Sequence, residues 1–283
     1  MSVLVVGATG QLAQHLRELL PDAQFWSRSE ADLAAPAELE RKVLVARPTF
    51  IINAAAYTAV DRAESEPELA WRVNADAPAA LARACATLDA PLVQVSTDYV
   101  FSGDRDRPYT EQDPVAPLGI YGATKLGGEL AVRTIHRQHW ILRTSWVFSE
   151  FGANFVKTML RLAKERHELK VVADQYGRPT YAGHLAELIV NLSRTRQTVP
   201  FGTYHATDGA AVSWHGFATR IITRAHQLGM IATQPVIHPI PSSSYPTPAK
   251  RPLHSVLTPS PALQQIVRFD WESGLERTLS QLK

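Results

Sequence analysis

The sequence has almost no cysteine, no long apolar run and no excess of charge of one sign. Cys85 is the single cysteine among 283 residues, so an internal disulfide is excluded, and the apolar helical pattern LARACATL around it favours a buried side chain. No run approaches the ~18 apolar residues that a membrane helix needs. The 29 basic and 27 acidic residues are scattered, which argues against a nucleic-acid surface. We therefore expect a cytoplasmic protein that binds neither membranes nor nucleic acid.

Several familiar catalytic motifs are missing as well. The sequence contains no G-x-S-x-G, H-E-x-x-H, C-x-x-C or P-loop pattern. These absences argue against a nucleophile-elbow hydrolase, a zinc protease, a thiol redox enzyme and a P-loop nucleotide hydrolase. His136 and His139 lie three residues apart on a polar helix, where we expect exposure rather than metal binding. We predict no metal site.

Short apolar runs alternate with longer amphipathic stretches through the first half of the chain. The apolar runs are rich in β-branched residues and read VLVVGA, FIINAAA, PLVQVST and HWILRTSWVF. Strands buried on both faces of a parallel sheet have this composition. Helical patterns cover residues 11–20, 36–47, 66–88 and 122–138. The alternation predicts an α/β fold with a doubly wound parallel sheet of the Rossmann type.

The alternation becomes irregular after residue 148. We predict a dinucleotide-binding domain over residues 1–148, to which segments around 181–207 return, and a smaller, discontinuous C-terminal substrate lobe over 149–283. Residues 235–261 contain so many prolines that we expect a long irregular loop there. A loop of that length inside an enzyme is usually functional.

The first apolar run ends in a glycine-rich turn, GATG, that leads into a helix. Gly7 permits a tight turn, Gly10 lets the backbone approach a pyrophosphate at the helix N-terminus, and the small Ala13 permits close helix–strand packing. The G-x-x-G-x-x-A spacing differs from the G-x-G-x-x-G of many dehydrogenases, and alone it could be a turn that binds nothing. Its position directly after VLVV favours dinucleotide binding.

The end of the second predicted strand, FWSRSEADL, bears on the choice of dinucleotide. No acidic residue follows Trp26 directly to hold a ribose 2′-hydroxyl. Arg28 could instead accept the 2′-phosphate of NADPH, so we predict NADPH, with NADH also possible; a solvated surface charge is the alternative role of Arg28. The small residues in NAAAY leave room for a ribose or a flat ring, although simple packing would explain them equally.

Three residues form a candidate catalytic set. We expect Thr97 and Tyr121 at the ends of two adjacent strands, with Lys125 one helical turn beyond the tyrosine. A lysine cation beside the phenol would lower the tyrosine pKa from its usual value near ~10, which would allow proton exchange at neutral pH. Thr97 could donate to a substrate carbonyl, or it could be an ordinary turn residue. A Tyr-x-x-x-Lys pair alone fits a surface helix, but together the motifs favour catalysis.

In combination these motifs resemble the extended short-chain dehydrogenase/reductase superfamily, and more narrowly the dTDP-4-dehydrorhamnose reductase family. GATGQL, NAAAYTAVDRAE, STDYVFSG, YGATKLGGE, RTSWVF, DQYGRPT and RPLHSVL follow in family order almost from end to end. The resemblance implies NAD(P)H-dependent reduction of the C4 ketone of dTDP-4-dehydro-β-L-rhamnose, the last step of dTDP-L-rhamnose synthesis for a cell-surface polysaccharide.

The resemblance also implies residue roles by position. The implied catalytic residues are Thr97, Tyr121 and Lys125. The implied cofactor contacts are Gly7, Gly10, Gln11 and Leu12 at the pyrophosphate, Asp32 and Leu33 at the adenine, and Ala56, Tyr57, Thr58, Tyr121 and Lys125 at the ribose and nicotinamide. The implied contacts to the dTDP-sugar are Thr97, Asp98, Trp146, Asn154 and Arg251.

Two further functions stay open: a non-catalytic, dinucleotide-binding regulatory subunit and a related sugar-nucleotide epimerase. A dehydratase is disfavoured because Tyr99 follows Thr97-Asp98, where a T-D-E sequence is usual. Some family members form a magnesium-linked dimer through a glutamate early in the first helix. His15 stands near that place, so Mg²⁺ dependence is doubtful, and we expect a monomer or weak homodimer.

Overall fold

The computed structural model describes residues 2–195 and 199–283. Its strands are β1 (Val3–Val6), β2 (Gln24–Trp26), β3 (Phe50–Asn53), β4 (Leu92–Thr97), β5 (His139–Thr144), β6 (Val147–Phe148), β7 (Glu168–Val172), β8 (Tyr176–Gly177), β9 (Thr180–Tyr181), β10 (Gly202–His205), β11 (Val212–Ser213) and β12 (Val236–Ile240).

The helices lie between and after these strands. They are α1 (Gln11–Leu19), α2 (Pro36–Ala46), α3 (Val60–Ala63), α4 (Pro67–Trp71), α5 (Ala77–Leu88), α6 (Ile120–Ile135), α7 (Phe155–Glu165), α8 (Ala182–Arg194), α9 (Trp214–Gln227), α10 (Pro261–Gln264) and α11 (Trp271–Leu282). A π-helical turn over Arg72–Asp76 joins α4 to α5, so the helix predicted over 66–88 is continuous and contains this turn. No helix in the described part of the chain is long and apolar enough to span a membrane.

Within the described ranges the central sheet has six strands in the order β10-β5-β4-β3-β1-β2, and every pairing is parallel. This confirms the predicted doubly wound parallel sheet. The chain runs outwards from β1 to β2 on one side and to β3 on the other, so the strand order reverses at β1. Ligands bind in such sheets at the carboxyl ends of the strands beside this reversal.

Both faces of the sheet are covered, as the apolar strand sequences require. Val3 and Val5 pack with residues of α1 and α8 into the first hydrophobic core, while Leu4 and Val6 pack on the opposite face of the sheet with α2 and α5. This alternation is the two-residue period of a strand. Each fully buried aliphatic side chain contributes about 1.5–3 kcal/mol to folding. The return of α8 to the sheet places part of the late chain in the first core.

A separate core, called the second hydrophobic core, forms from the later chain. Its buried members include Phe148, Val156, Phe217, Ile221 and Trp271, which bring together β6, α7, α9 and α11. Amphipathic helices bury one apolar face in this way.

The proline-rich stretch is more regular than we expected. Val236–Ile240 forms β12, which pairs in parallel with β7 throughout. Pro239 is tolerated because β12 has β7 as its sole sheet neighbour among the described residues, and an edge strand can lack one N–H donor. The prediction of a wholly irregular loop over 235–261 is therefore wrong at its start.

The predicted exposure of His136 and His139 is also wrong. Both side chains are buried. A ring nitrogen of His136 lies 3.0 Å from the carbonyl oxygen of Ala90, and His139 is the first residue of β5. Burial lowers the pKa of both imidazoles.

Candidate active site

The turn after β1 is shaped for close approach of a ligand to the backbone. Gly7 has φ +103°, and a Cβ at that position would lie 3.0 Å from the Cβ of Ala55. Only glycine fits both conditions. Gly10 precedes α1, and nothing lies within 4 Å of the place where its Cβ would stand. The N-terminus of α1 is therefore open to an anion such as a pyrophosphate.

Beside this turn lies a cleft of about 310 Å³ between the ends of β1, β2 and β3. Six of the residues predicted to contact the cofactor line it: Gly7, Arg28, Asp32, Leu33, Ala56 and Tyr57. Their convergence from three separate segments suits an adenosine half of a dinucleotide. The residues present therefore fit the predicted cofactor.

Other predicted cofactor contacts lie outside this cleft. Leu12 is buried in the first core, so its backbone N–H rather than its side chain is available to a phosphate. The amide oxygen of Gln11 accepts hydrogen bonds from Ser149 and, at 2.9 Å, from Asn154. Thr58 is exposed beyond the cleft wall.

The three predicted catalytic residues converge between β4 and α6. Thr97 is the last residue of β4, and its hydroxyl lies close enough to the Tyr121 phenol to act on the pKa of that phenol. Lys125 donates from Nζ to the carbonyl oxygen of Val95 at 2.6 Å. Tyr121 is the second residue of α6, so the expectation that it ends a strand is wrong. The hydroxyl and phenol meet because the start of α6 lies against the end of β4.

The expected electrostatic effect of Lys125 on Tyr121 is wrong. Burial raises the pKa of Tyr121 to about 12; the Thr97 hydroxyl opposes this rise, and the Asp98 charge adds to it. Burial lowers the pKa of Lys125 to about 8, and the charge of Glu129 opposes that shift. The ammonium group binds the strand carbonyl rather than the phenol. Tyr121 is consequently a neutral phenol at pH 7, which suits a proton donor.

Asp98 follows Thr97 in the chain, and its carboxylate contacts the Thr97 hydroxyl. Its side chain is 2% exposed, and Oδ1 accepts a hydrogen bond from the Thr97 hydroxyl at 3.1 Å. Burial raises the pKa of Asp98 to about 6, while hydrogen bonds with Ser255 and Thr97 oppose the shift. The structure thus gives Asp98 a contact that orients the threonine, in addition to any contact with substrate.

The remaining predicted substrate contacts lie around these residues. Trp146 follows β5 by two residues, and the last residue of β5, Thr144, is in register with Thr97. Asn154 caps α7 by accepting from the N–H of Lys157 at 3.2 Å, so it is committed to that helix and to Gln11.

Arg251, the last predicted substrate contact, is tied to Asp61. Two hydrogen bonds of 2.9 and 3.1 Å join its guanidinium to that carboxylate, and the N–H of Ala249 adds a third. This pair holds the proline-rich segment against α3, and a small cavity beneath the segment is bounded by Tyr99 and Tyr121. Arg251 therefore positions this segment beside the site.

Some residues near the site were not singled out from the sequence. Buried Asn74 accepts from the N–H of Tyr57 at 2.8 Å and donates to Thr124 at 3.1 Å, which joins the cofactor cleft to α6. The fully buried Glu129 lies four residues after Lys125 on the same helix. The four-residue spacing of Glu129 from Lys125 in YGATKLGGE could have identified Glu129 from the sequence. No sequence pattern indicated the π-helical turn that contains Asn74.

A parallel sheet with a glycine turn, a cleft that suits the adenosine half of a dinucleotide and a Thr–Tyr–Lys set between β4 and α6 defines a Rossmann-type oxidoreductase. A family profile described as "RmlD substrate binding domain" matches residues 1–283. The dTDP-4-dehydrorhamnose reductase of Burkholderia thailandensis is 45% identical over 269 residues, which cover 91% of this chain and 90% of that protein. The chain belongs to the dTDP-4-dehydrorhamnose reductase family, as its motifs predicted.

Two further comparisons agree. The dTDP-4-dehydrorhamnose reductase of Escherichia coli K12 is 40% identical over 293 residues, covering 100% of this chain and 98% of that protein. The crystal structure of dTDP-4-dehydrorhamnose reductase from Bacillus anthracis in complex with NADP superposes with a TM-score of 0.91 at 39% identity. That alignment covers 99% of this chain and 100% of the other.

Proposed function

We propose that this protein reduces the C4 ketone of dTDP-4-dehydro-β-L-rhamnose to dTDP-L-rhamnose, with NADPH as the reductant. The observation that carries the proposal is the juxtaposition of the Thr97 hydroxyl, at the end of β4, and the Tyr121 phenol, at the start of α6, near the dinucleotide cleft. Two hydroxyl groups held together there can both reach one carbonyl oxygen.

Tyr121, Thr97 and Asp98 have different roles in the proposed reduction. When bound, the nicotinamide supplies a hydride to the carbonyl carbon. Tyr121 donates its phenolic proton to the carbonyl oxygen, which becomes the C4 hydroxyl, and its neutral state at pH 7 makes that proton available. Before substrate binds, the Thr97 hydroxyl donates to Asp98 at 3.1 Å, which keeps it oriented. In the complex the hydroxyl turns that proton to the carbonyl oxygen, on which negative charge develops.

Lys125 lies one helical turn beyond Tyr121, and its ammonium group donates to the carbonyl oxygen of Val95. The same group can bind the nicotinamide ribose hydroxyls. Since the pKa of Lys125 is about 8, it carries its charge at neutral pH.

Two arginines support the choice of NADPH. Arg28 follows β2 with an 81% exposed side chain, and Arg62 stands on another wall of the same cleft. Each already faces a carboxylate, Asp32 for Arg28 and Glu66 for Arg62. A 2′-phosphate entering the cleft would find two guanidinium donors, and no acidic residue directly follows β2, where NAD-specific sites carry the acid that binds the ribose.

The domain division follows from the same assignment. We propose that residues 1–148 and the segments around 181–207 form the cofactor-binding part, and that the rest of 149–283 forms the sugar-nucleotide lobe. The buried contacts of α8 with α1 and the pairing of β10 with β5 support the return of the middle segment. The cytoplasmic location and the monomeric or weakly dimeric state stay predictions.

The decisive test supplies enzymatically made dTDP-4-dehydrorhamnose with NADPH and NADH in parallel. Loss of the reduced nicotinamide absorbance and formation of dTDP-L-rhamnose are expected. Tyr121→Phe should lower kcat by about 10²–10⁴, the usual loss for a general acid, with NADPH binding kept. Near-normal turnover by that variant would contradict the role of Tyr121.

Other results would favour the alternatives. Tight NADPH binding by the wild type without any turnover would support a regulatory subunit. Interconversion of hexose epimers without net oxidation of the nucleotide would support an epimerase.

A further inference from the structure

Trp146 has an unusual backbone conformation. Among the described non-glycine residues, positive φ angles occur at Arg47, Asp89 and Trp146. The first two end α2 and α5, where left-handed residues are common. Trp146 ends no helix and has φ +49°. A bulky residue adopts this conformation when its surroundings enforce it, and such residues cluster at functional sites.

Two contacts hold the indole of Trp146. Its ring lies 3.4 Å from that of Trp214, with an angle of 8° between the ring planes, so the two indoles stack face to face. Gly177 approaches the same indole so closely that a Cβ there would lie 2.5 Å from Cε2 of Trp146. The indole is therefore confined by a partner ring and by a backbone that tolerates no side chain.

The stack is anchored to the ends of two helices. Trp214 is the first residue of α9, whose N-cap Ser213 accepts a hydrogen bond from Gly216 at 3.1 Å. Phe155, the first residue of α7, lies with its ring centre 4.6 Å from that of Trp214. Both aromatic residues pack against the second hydrophobic core. Trp214 is thus a fixed support rather than a mobile surface ring.

The position of Trp146 connects this support to the reaction site. Trp146 follows Thr144 by two residues, and Thr144 is in register with Thr97. The next residue, Val147, accepts a hydrogen bond from the side chain of Gln11 at the start of α1. Trp146 accordingly lies between the catalytic strand end and the glycine turn, and its side chain is partly exposed.

We propose that Trp214 is a positioning residue for this enzyme. By stacking on Trp146, it fixes that indole as a wall against which the hexose ring of the nucleotide sugar binds. Because the Trp146 side chain is already ordered in the free enzyme, it loses little conformational entropy when the sugar binds. The inference rests on the proposed function, because it assigns the stack to the sugar end of that substrate.

The test compares two substitutions of Trp214. In Trp214→Leu the stack is lost, and we expect KM for dTDP-4-dehydrorhamnose to rise about three- to tenfold, the range that an aromatic pair is worth. KM for NADPH should stay unchanged. Trp214→Phe keeps an aromatic face and should recover most of the difference. The exciton couplet that two stacked indoles give in circular dichroism should disappear in both variants.

Phe155→Leu is the matched control. It removes the ring beside Trp214 and leaves the indole pair intact, so the couplet and the sugar KM should both remain. An equal rise of KM in this control, with its couplet retained, would mean that general packing of the second core is responsible, and it would overturn the proposal.

Gly177→Ala keeps Trp214 and places a methyl group against Trp146, so it tests the proposal even if Trp214→Leu does not fold. The same rise in sugar KM is expected, and an unchanged KM in folded Gly177→Ala or Trp214→Leu would overturn the proposal. A wild-type enzyme that fails to reduce the sugar nucleotide would overturn the proposed function and this inference together. Wild-type turnover with unaffected variants would overturn this inference alone.

Discussion

Glu129 and Arg143 form a bidentate ion pair that is buried between α6 and β5. The guanidinium donates to the two carboxylate oxygens at 2.9 and 2.7 Å, and the side chains are 0% and 2% exposed. Ser96 of β4 donates to the same carboxylate at 2.6 Å. One helical turn separates Glu129 from Lys125, so this pair fixes the catalytic helix against the two strands that end at the site.

Glu129→Ala should destabilise the protein by about 3–5 kcal/mol, because it leaves the guanidinium of Arg143 buried without its carboxylate. Urea unfolding of the two proteins measures the change. The control is Glu165→Ala, which breaks an exposed pair with Arg161 on α7 and should change stability by at most about 0.5 kcal/mol. Comparable small losses in both variants would show that the buried pair contributes little.

The raised pKa of Asp98 should be visible in the pH dependence of the free energy of unfolding. Its pKa is raised from 3.8 to about 6 in the folded state, so its stabilising contribution is complete below about pH 4 and is lost as the pH rises through 6. Asp98→Asn should therefore gain up to about 3 kcal/mol over wild type at pH 8 and little at pH 4. Urea unfolding at both values tests this.

Asp113→Asn is the control for that experiment, because we expect it to change stability at pH 8 in the opposite direction. Hydrogen bonds from Arg107 lower the pKa of Asp113, so its stabilising contribution is present above the unfolded pKa and is lost only in acid. The Asp113 variant should lose stability at pH 8. A gain in both variants would contradict the assignment of Asp98.

The rate should fall on the alkaline side as Lys125 loses its proton. With the pKa of Lys125 at about 8, kcat/KM for the sugar nucleotide should decline above that pH. Glu129 is the charged group that acts on Lys125 and raises its pKa, so Glu129→Gln should move the decline to lower pH. Glu165→Gln, the same change on a distant helix, should not. An alkaline limb that stays in place in Glu129→Gln would refute this coupling.

Cofactor preference should depend on Arg28. Arg28→Ala should reduce the ratio of kcat/KM for NADPH to that for NADH by about tenfold, the lower end expected for a charge-assisted contact at an exposed position. Arg62→Ala is the matched comparison on another wall of the cleft. Arg62 is hydrogen-bonded to Glu66, whereas Arg28 lies 3.7 Å from Asp32, so we expect a smaller change from Arg62→Ala. An unchanged ratio in Arg28→Ala would remove Arg28 from 2′-phosphate recognition.

The helices and strands could largely be predicted from the sequence, but the contacts between residues far apart in the chain could not. The strands and helices around Gly7, Thr97 and Lys125 follow from apolar periodicity and turn residues, which act over a few positions. The carbonyl partner of Lys125, thirty positions away in β4, is set by packing of α6 on the sheet. The same limitation applies to Arg251, whose partner Asp61 lies 190 positions earlier. The pKa of Tyr121 was mispredicted for this reason, since burial decides it.

The edge position of β10 has a consequence for how the protein is made. Residues 202–205 complete the central sheet beside β5, and α8 covers one of its faces, so both arrive after α7 and β7 in the order of synthesis. A nascent chain that has emerged only to residue 148 displays Trp140 and Leu142 without the helix that later shields them. Domains tend to fold as units while the ribosome works, and here the first such unit must wait for most of the polypeptide.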